Sequence, residues 1–315
     1  MFAICIESSH KMGMGHLFRS LNFIDYLKEM DVSPIIFINK DAAAIEMLDT
    51  MDVRFEIVDL GDFLSNWETR LINKYGVDLW INDRLDTDLR HSQNVKRNGI
   101  KLVTFDDRGS GAEFADIHVA SMPFNNKGDL KGKNVLRGLS YLILNKDIAR
   151  YKRVRKKVEK IIITLGGSDS YGVTVKVVNI FRSLNKKATL HIGPSFMHHK
   201  ELEMAANYNF SIISKVPSLM ATFYEYDLAV TGGGITPFEA NASGLPCIII
   251  ANEIFEIENG KFLDELGSSV FAGYHENINV GSFNMDLDIE KMSMTGINSI
   301  SLNGAKNVYR MIQSL

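Results

Sequence analysis

The sequence predicts an α/β protein made of two similar halves, each a parallel β-sheet covered by helices. Three observations predict it. Short apolar runs alternate with amphipathic stretches of helical period along most of the 315 residues, as expected of strands joined by crossover helices. The alternation breaks at a basic stretch near residue 150 and then restarts. Glycine-rich turns also follow a strand and open a helix in both halves, at Gly13 and Gly15, at Gly166 and Gly167, and at Gly232 to Gly234. The length suits two domains, placed at 1–145 and 160–315 with a linker over 146–159.

In the first half, the apolar run 1–6 is the first strand. A helix over 15–30 follows, with Leu17, Leu21, Ile24 and Leu27 at helical spacing. The run SPIIFIN makes 33–39 a strand, and 41–51 is the next helix. Strands over 54–58, 78–81, 101–105 and 115–120 alternate with helices over 65–75 and 92–98. Residues 150–160 carry seven Lys and Arg residues, from Arg150 to Lys160. They read either as a basic face for an acidic partner or as a solvated linker helix. The second half has strands over 160–165, 188–192, 210–213, 228–231 and 246–251. Its helices cover 173–184, 218–224, 236–242 and 259–266, and a last helix over 305–314 closes the chain.

Hydrophobic residues make up 45% and charged residues 23% of the chain, the balance of a soluble globular protein. The net charge of −3 excludes a broad, non-specific nucleic-acid binder. The two cysteines, Cys5 and Cys247, lie in apolar runs without zinc-ligand spacing and read as buried reduced thiols. The first apolar run stops at Glu7, too short for a signal peptide, and no run of about 20 apolar residues spans a bilayer. A cytoplasmic location without stable membrane insertion is expected. No cofactor and no metal is called for.

Four motifs can carry chemistry. Lys11-Met-Gly-Met-Gly-His16-Leu-Phe-Arg19 follows the first strand and opens the first helix. Its glycines let a ligand approach the backbone, and the helix N-terminus favours negative charge. His16 can act there as a neutral general base or can simply cap the helix. Leu165-Gly-Gly-Ser168-Asp169 offers the amides of Gly166 and Gly167 and the Ser168 hydroxyl to a phosphate, or forms an ordinary turn with Asp169 as cap. Thr231-Gly-Gly-Gly234-Ile235-Thr236-Pro237-Phe-Glu239 has more glycine than a helix start requires. It suits a second phosphate contact, with Glu239 matched to the two hydroxyls of a ribose. Asp106 and Asp107, after the strand at 101–105, can position a hydroxylated ligand, support a base, or stand as surface turn residues. Asn82-Asp83-Arg84, after another strand, has the same ambiguity.

In order along the chain, GMGHLFRS, TFDD, RGLSYLILNKDI, LGGSD and TGGGITPFEANASGLPCII resemble the PseG family of nucleotide-sugar hydrolases of pseudaminic acid biosynthesis. More distantly the chain resembles MurG-type glycosyltransferases of GT-B fold. The resemblance runs from Ile4 to about Gly267. It implies two Rossmann-like domains facing across a central cleft, with UDP held mainly by the second. It also implies metal-free, inverting attack of water on the anomeric carbon. His16 matches the family's catalytic histidine, and Asp83 an acidic position after the corresponding strand. Gly167 and Ser168 match the diphosphate turn; Gly233, Gly234 and Glu239 match the segment binding diphosphate and ribose. Gly13, Gly15, Arg19, Ile235 and Thr236 belong to the same motifs. The family's arginine and aspartate of strand one are replaced by Cys5 and Glu7. Its Asn-Gln pair, which faces the sugar, falls at Asn252 and Glu253 counting forward from the strand, or at Phe255 and Glu256 counting back from Leu263.

The expected activity is a UDP-sugar hydrolase making a nonulosonic-acid-type or other surface-polysaccharide sugar, with His16, Asp83 and Asn252 as catalytic residues and Glu256 at the substrate. A GT-B glycosyltransferase with a sugar hydroxyl in place of water, and a non-catalytic nucleotide-sugar-binding module, are the alternatives. The expected partner is a UDP-linked small molecule, not a nucleic acid, along with association with other sugar-biosynthesis enzymes.

Overall fold

The computed structural model describes residues 1–8, 15–126, 130–193, 195–207, 209–214, 216, 218–283 and 286–315. The chain divides into two compact units, one formed by residues 1–144 and 303–315 and the other by 145–302. In chain order the first unit contains β1 (Phe2–Ile6), α1 (Gly15–Glu29), β2 (Ile35–Ile38), α2 (Ala42–Asp49), β3 (Arg54–Ile57), α3 (Trp67–Tyr75), β4 (Leu79–Asp83), α4 (Leu89–Arg97), β5 (Lys101–Phe105), β6 (Ile117–Ala120) and β7 (Val135–Arg137). The second contains β8 (Ile161–Thr164), α5 (Val173–Ser183), β9 (Ala188–Ile192), α6 (His199–Ala205), β10 (Phe210–Ser214), α7 (Leu219–Tyr224), β11 (Leu228–Gly232), α8 (Thr236–Ala242), β12 (Cys247–Ala251), α9 (Glu256–Glu265), β13 (Ser269–Tyr274) and α10 (Ile289–Ser299); α11 (Gly304–Ile312) returns to the first unit.

The first sheet has the order β3-β2-β1-β4-β5-β6-β7 and the second β10-β9-β8-β11-β12-β13. Every pairing is parallel, from Ile4↔Ile81 in the first sheet to Val230↔Ile163 in the second. A parallel sheet needs both faces covered, and the two-residue side-chain period divides the first sheet accordingly. Ile4, Ile6, Ile81 and Val103 pack with Leu17, Leu21 and Ile24 of α1. Ala3, Cys5, Trp80 and Leu102 pack the other way, with Trp67 and Leu71 of α3 and Val95 of α4. In the second unit, Ile163, Leu190, Val230 and Ile248 pack with Val177 and Phe181 of α5.

Three expectations are corrected. The last helix does not close the second half: Ala305, Val308 and Ile312 of α11 join the core that α1 covers, so residues 303–315 complete the first unit. Residues 145–160 do not form a solvated linker helix. After a short 3-10 turn, Lys146–Arg150, residues 151–160 form no regular element, and Arg155 is fully buried. Its guanidinium donates to the carbonyls of Arg153, Ser243, Phe223 and Tyr226, which satisfies both the cation and the loop ends it ties together. Third, β7, α6, β13 and α10 lie in stretches where the sequence pattern suggested no element. β7 is three residues long, and α6 keeps only Leu202 and Ala205 buried, too little for a readable period.

Cys5 and Cys247 are buried free thiols, both pushed up to about 12 by burial. No helix among the described residues is long and apolar enough to cross a membrane.

Placing a carboxylate at Val308, which is fully buried, strands a charge in the α1–α11 core. Val308→Asp is expected to move the unfolding of the first unit to lower denaturant while the second unit's transition stays in place. Urea titration followed by hydrogen exchange in each unit checks this.

Candidate functional site

In an open parallel sheet, ligands collect at the carboxyl edge where strand order reverses. In the first unit that reversal lies between β1 and β4. α1 starts there, and His16, Arg19 and Ser20 lie on one face of it at i, i+3 and i+4. All three converge on Asp83, the last residue of β4. His16 Nδ1 stands 2.7 Å from Asp83 Oδ1, Arg19 Nε donates to Oδ2 at 3.1 Å, Arg19 Nη2 donates to Oδ1, and Ser20 Oγ donates to Oδ2 at 2.9 Å. Burial acts to raise the Asp83 pKa, but the Arg19 guanidinium and the His16 bond outweigh it and hold the carboxyl well below the usual range. An ionised carboxylate only accepts, so we assign the imidazole proton to Nδ1. Nε2 then carries the lone pair, as a general base requires.

Arg19 reaches further, donating through Nη1 to Asp106, just past β5. Burial would lower its pKa, but the two carboxylates raise it. The guanidinium is 5% exposed and taken up by these acids, so it braces the ends of β4 and β5 rather than reaching a ligand. Asp106 also accepts from the amides of Ser121 and Met122, the Ser121 hydroxyl and the Asn125 amide group. Asp107 accepts from the amides of Thr87 and Gly109. Both acids are almost fully buried, so they are not surface turn residues, and Asp107 Oδ2 has no partner among the described residues. Gly15 opens α1, and Gly13 lies outside the described residues.

In the second unit the order reverses between β8 and β11. The turn after β8 holds Gly167 and Ser168, both half-buried; the turn after β11 holds Gly233 and Gly234. Asp169 accepts from the amides of Val173 and Thr174 at 2.8 Å each and so caps α5. Gly193, at the end of β9, abuts Gly167 so closely that a Cβ there would lie 2.4 Å from the Gly167 carbonyl oxygen, and Ser195 donates to that carbonyl. The second turn is held by α9. The Asn259 side chain donates to the Gly233 carbonyl, and Glu256 accepts from the amides of Asn252, Glu253 and Gly233. A Cβ on Gly233 would come within 2.7 Å of Glu256 Cβ, so packing against α9 demands that glycine. Glu256 is therefore a brace of the turn. Asn252 lies over Gly232, and its Oδ1 is buried with no donor among the described residues. Ile235 and Thr236 start α8. Glu239, in that first turn, accepts from the Asn145 amide, and burial pushes its pKa up to about 7.

Sequence reasoning brought out His16, Asp83, the glycine turns and Glu239. It missed Ser20, Gly193 and Asn259. Ser20 was legible from its spacing to His16. Gly193 and Asn259 matter only through contacts across loops distant in the chain.

Comparison with known proteins agrees with this architecture. No family model matches the chain. An uncharacterized protein of Methanocaldococcus jannaschii, MJ1062, is 26% identical over 95% of this chain; the chain spans 66% of that protein's length, just under two thirds. The spore coat polysaccharide biosynthesis protein SpsG of Bacillus subtilis is 20% identical over 87% of this chain and 84% of its own length. Among solved structures, MurG of Acinetobacter baumannii superimposes with a TM-score of 0.70 at 14% identity, covering 100% of this chain and 99% of its own. HepE of Anabaena, in complex with UDP and glucose, gives 0.66 at 12% identity over the whole of both chains. The chain thus has the GT-B fold, two parallel-sheet α/β domains of seven and six strands, as in glycosyltransferase structures.

The two buried acids impose opposite pH dependences. Asp83 titrates lower in the folded state, so its contribution is present above about pH 4 and is lost as pH falls below that. Glu239 titrates higher, about 7 against 4.5, so stability falls as pH rises through that interval. Melting temperatures measured from pH 3 to 8 should show a shallower high-pH decline in Glu239→Gln and a shallower low-pH decline in Asp83→Asn than in the wild type.

Proposed function

We propose that the protein binds a uridine-diphospho-sugar and displaces the diphosphate from the anomeric carbon, with His16 as general base. The observation that carries this reading is the 2.7 Å His16–Asp83 pair at the strand-order reversal of the first sheet. Asp83 holds the imidazole as the Nδ1–H tautomer, leaving Nε2 to take a proton from the attacking hydroxyl. The oxygen forms a bond to the anomeric carbon, and the carbon–oxygen bond to the diphosphate breaks with its electron pair leaving on UDP. The amides of the Gly167 and Gly234 turns stabilise the charge of the departing diphosphate. Glu239, in the first turn of α8, accepts from the ribose hydroxyls. Asn252, with its unsatisfied Oδ1, faces the sugar.

Water as the attacking group gives a hydrolase, in line with the PseG resemblance, and retains the bond inversion expected of that family. A sugar hydroxyl gives a glycosyltransferase, a reading favoured by the GT-B structures, one of which holds UDP and glucose. In either case the similarity to SpsG points to synthesis of a surface polysaccharide or its precursor sugar. A cytoplasmic enzyme working on soluble nucleotide sugars fits both.

The test is incubation with UDP-sugars in oxygen-18 water, following UDP release by NMR and mass spectrometry. Label in the sugar supports attack by water at carbon. Turnover only with an added acceptor supports transfer. Label in UDP means attack at phosphorus and overturns the mechanism, and UDP-sugar binding without turnover overturns both catalytic readings. His16→Ala is expected to cut turnover by ~10²-fold or more while UDP affinity, measured by calorimetry, holds. Glu239→Ala should weaken UDP binding, and unchanged affinity would remove it from the ribose site.

A further inference from the structure

Among the described residues three arginines are buried, and two are fully matched. Arg19 meets two carboxylates, and Arg155 meets four carbonyls. The third, Arg84, is not matched. It is 5% exposed, yet its one carboxylate partner is Glu7, with Nε 3.4 Å from Oε2, at the long limit of a hydrogen bond. The guanidinium also touches the Cys5 thiol, while Nη1 finds no partner among the described residues. A guanidinium taken out of water costs several kcal/mol unless it is paired and hydrogen-bonded. Glu7 is a poor match for that need, since its side chain is 36% exposed.

Position adds to this. Glu7 and Arg84 are the first residues beyond β1 and β4, the two strands between which the first sheet reverses its order. They therefore stand at the same carboxyl edge as Asp83, where such sheets take ligands. Beside them the Ser8 hydroxyl is buried and also lacks a partner among the described residues.

We infer that Arg84 is a specificity residue that binds a carboxylate on the sugar of the substrate, and that the Glu7 carboxylate occupies its place in the free protein. A planar guanidinium matches a carboxylate in two parallel bonds, Arg84 leaves Nη1 unused, and a loosely held, half-exposed glutamate is a group that a ligand can displace. The inference rests on the nucleotide-sugar reading above and narrows it to sugars bearing an acid, such as uronates.

Calorimetry with UDP, UDP-glucose and UDP-glucuronic acid tests it, using the wild type, Arg84→Met and Glu7→Gln. The wild type should bind UDP-glucuronic acid about tenfold or more above UDP-glucose, the factor one charge-assisted hydrogen bond supplies. Arg84→Met should erase that preference, and Glu7→Gln, by removing the competitor, should enlarge it. UDP affinity should stay constant across all three. These opposite signs separate recognition from a merely structural ion pair, whose loss from either side would act alike. If UDP binds but the wild type does not discriminate, or discrimination survives Arg84→Met, the inference is overturned and the nucleotide reading stands. If UDP does not bind, the nucleotide reading falls. Free glucuronate titrated by NMR against Glu7→Gln then decides: saturable binding lost in Glu7→Gln/Arg84→Met supports the site, and no binding overturns it.

Discussion

A carboxylate buried at the end of an apolar strand must find its counter-charge close by, and Asp83 is that group here. Burial alone would favour its neutral form. Arg19 keeps it ionised, and Ser20 and His16 complete its hydrogen bonds. Each partner comes from the first two turns of α1, so one interaction sets where the helix begins over the sheet and which nitrogen of His16 carries the proton. The same guanidinium extends to Asp106, binding the ends of β4 and β5 into one rigid edge. Two acids that invite a reading as ligand contacts, Asp106 and Asp107, therefore work inward on loop structure.

The second unit uses a different device at the equivalent place. Its turns carry little side-chain chemistry and depend on backbone held from behind. Gly193 presses on the turn after β8, and Glu256 and Asn259 of α9 hold the turn after β11. The glycines thus answer two demands. Gly233 is required by the close approach of α9, while Gly234 has room beside it.

The buried arginines show how closely this fold balances charge. Arg155 alone of its basic segment turns inward, capping the carbonyls of Arg153, Ser243, Phe223 and Tyr226, while Lys152, Lys156, Lys157 and Lys160 stay exposed; the segment is solvated but not helical. Measured against Arg155 and Arg19, the shortfall at Arg84 stands out as a feature of the site.

Local pattern was enough for the α/β class, the restart near residue 160 and most strands, because strand and helix periods are written in consecutive residues. It also marked His16, the glycine turns and Glu239 as candidates, because they sit in short motifs between a strand and a helix. Tertiary structure alone decided the rest. Whether α11 belonged to the first or the second core depended on which apolar surface Val308 and Ile312 could cover. Whether Asp106 faced a ligand or Arg19 depended on a contact between residues 87 positions apart. Burial and charge pairing of this kind join segments distant in the chain, and no local period encodes them.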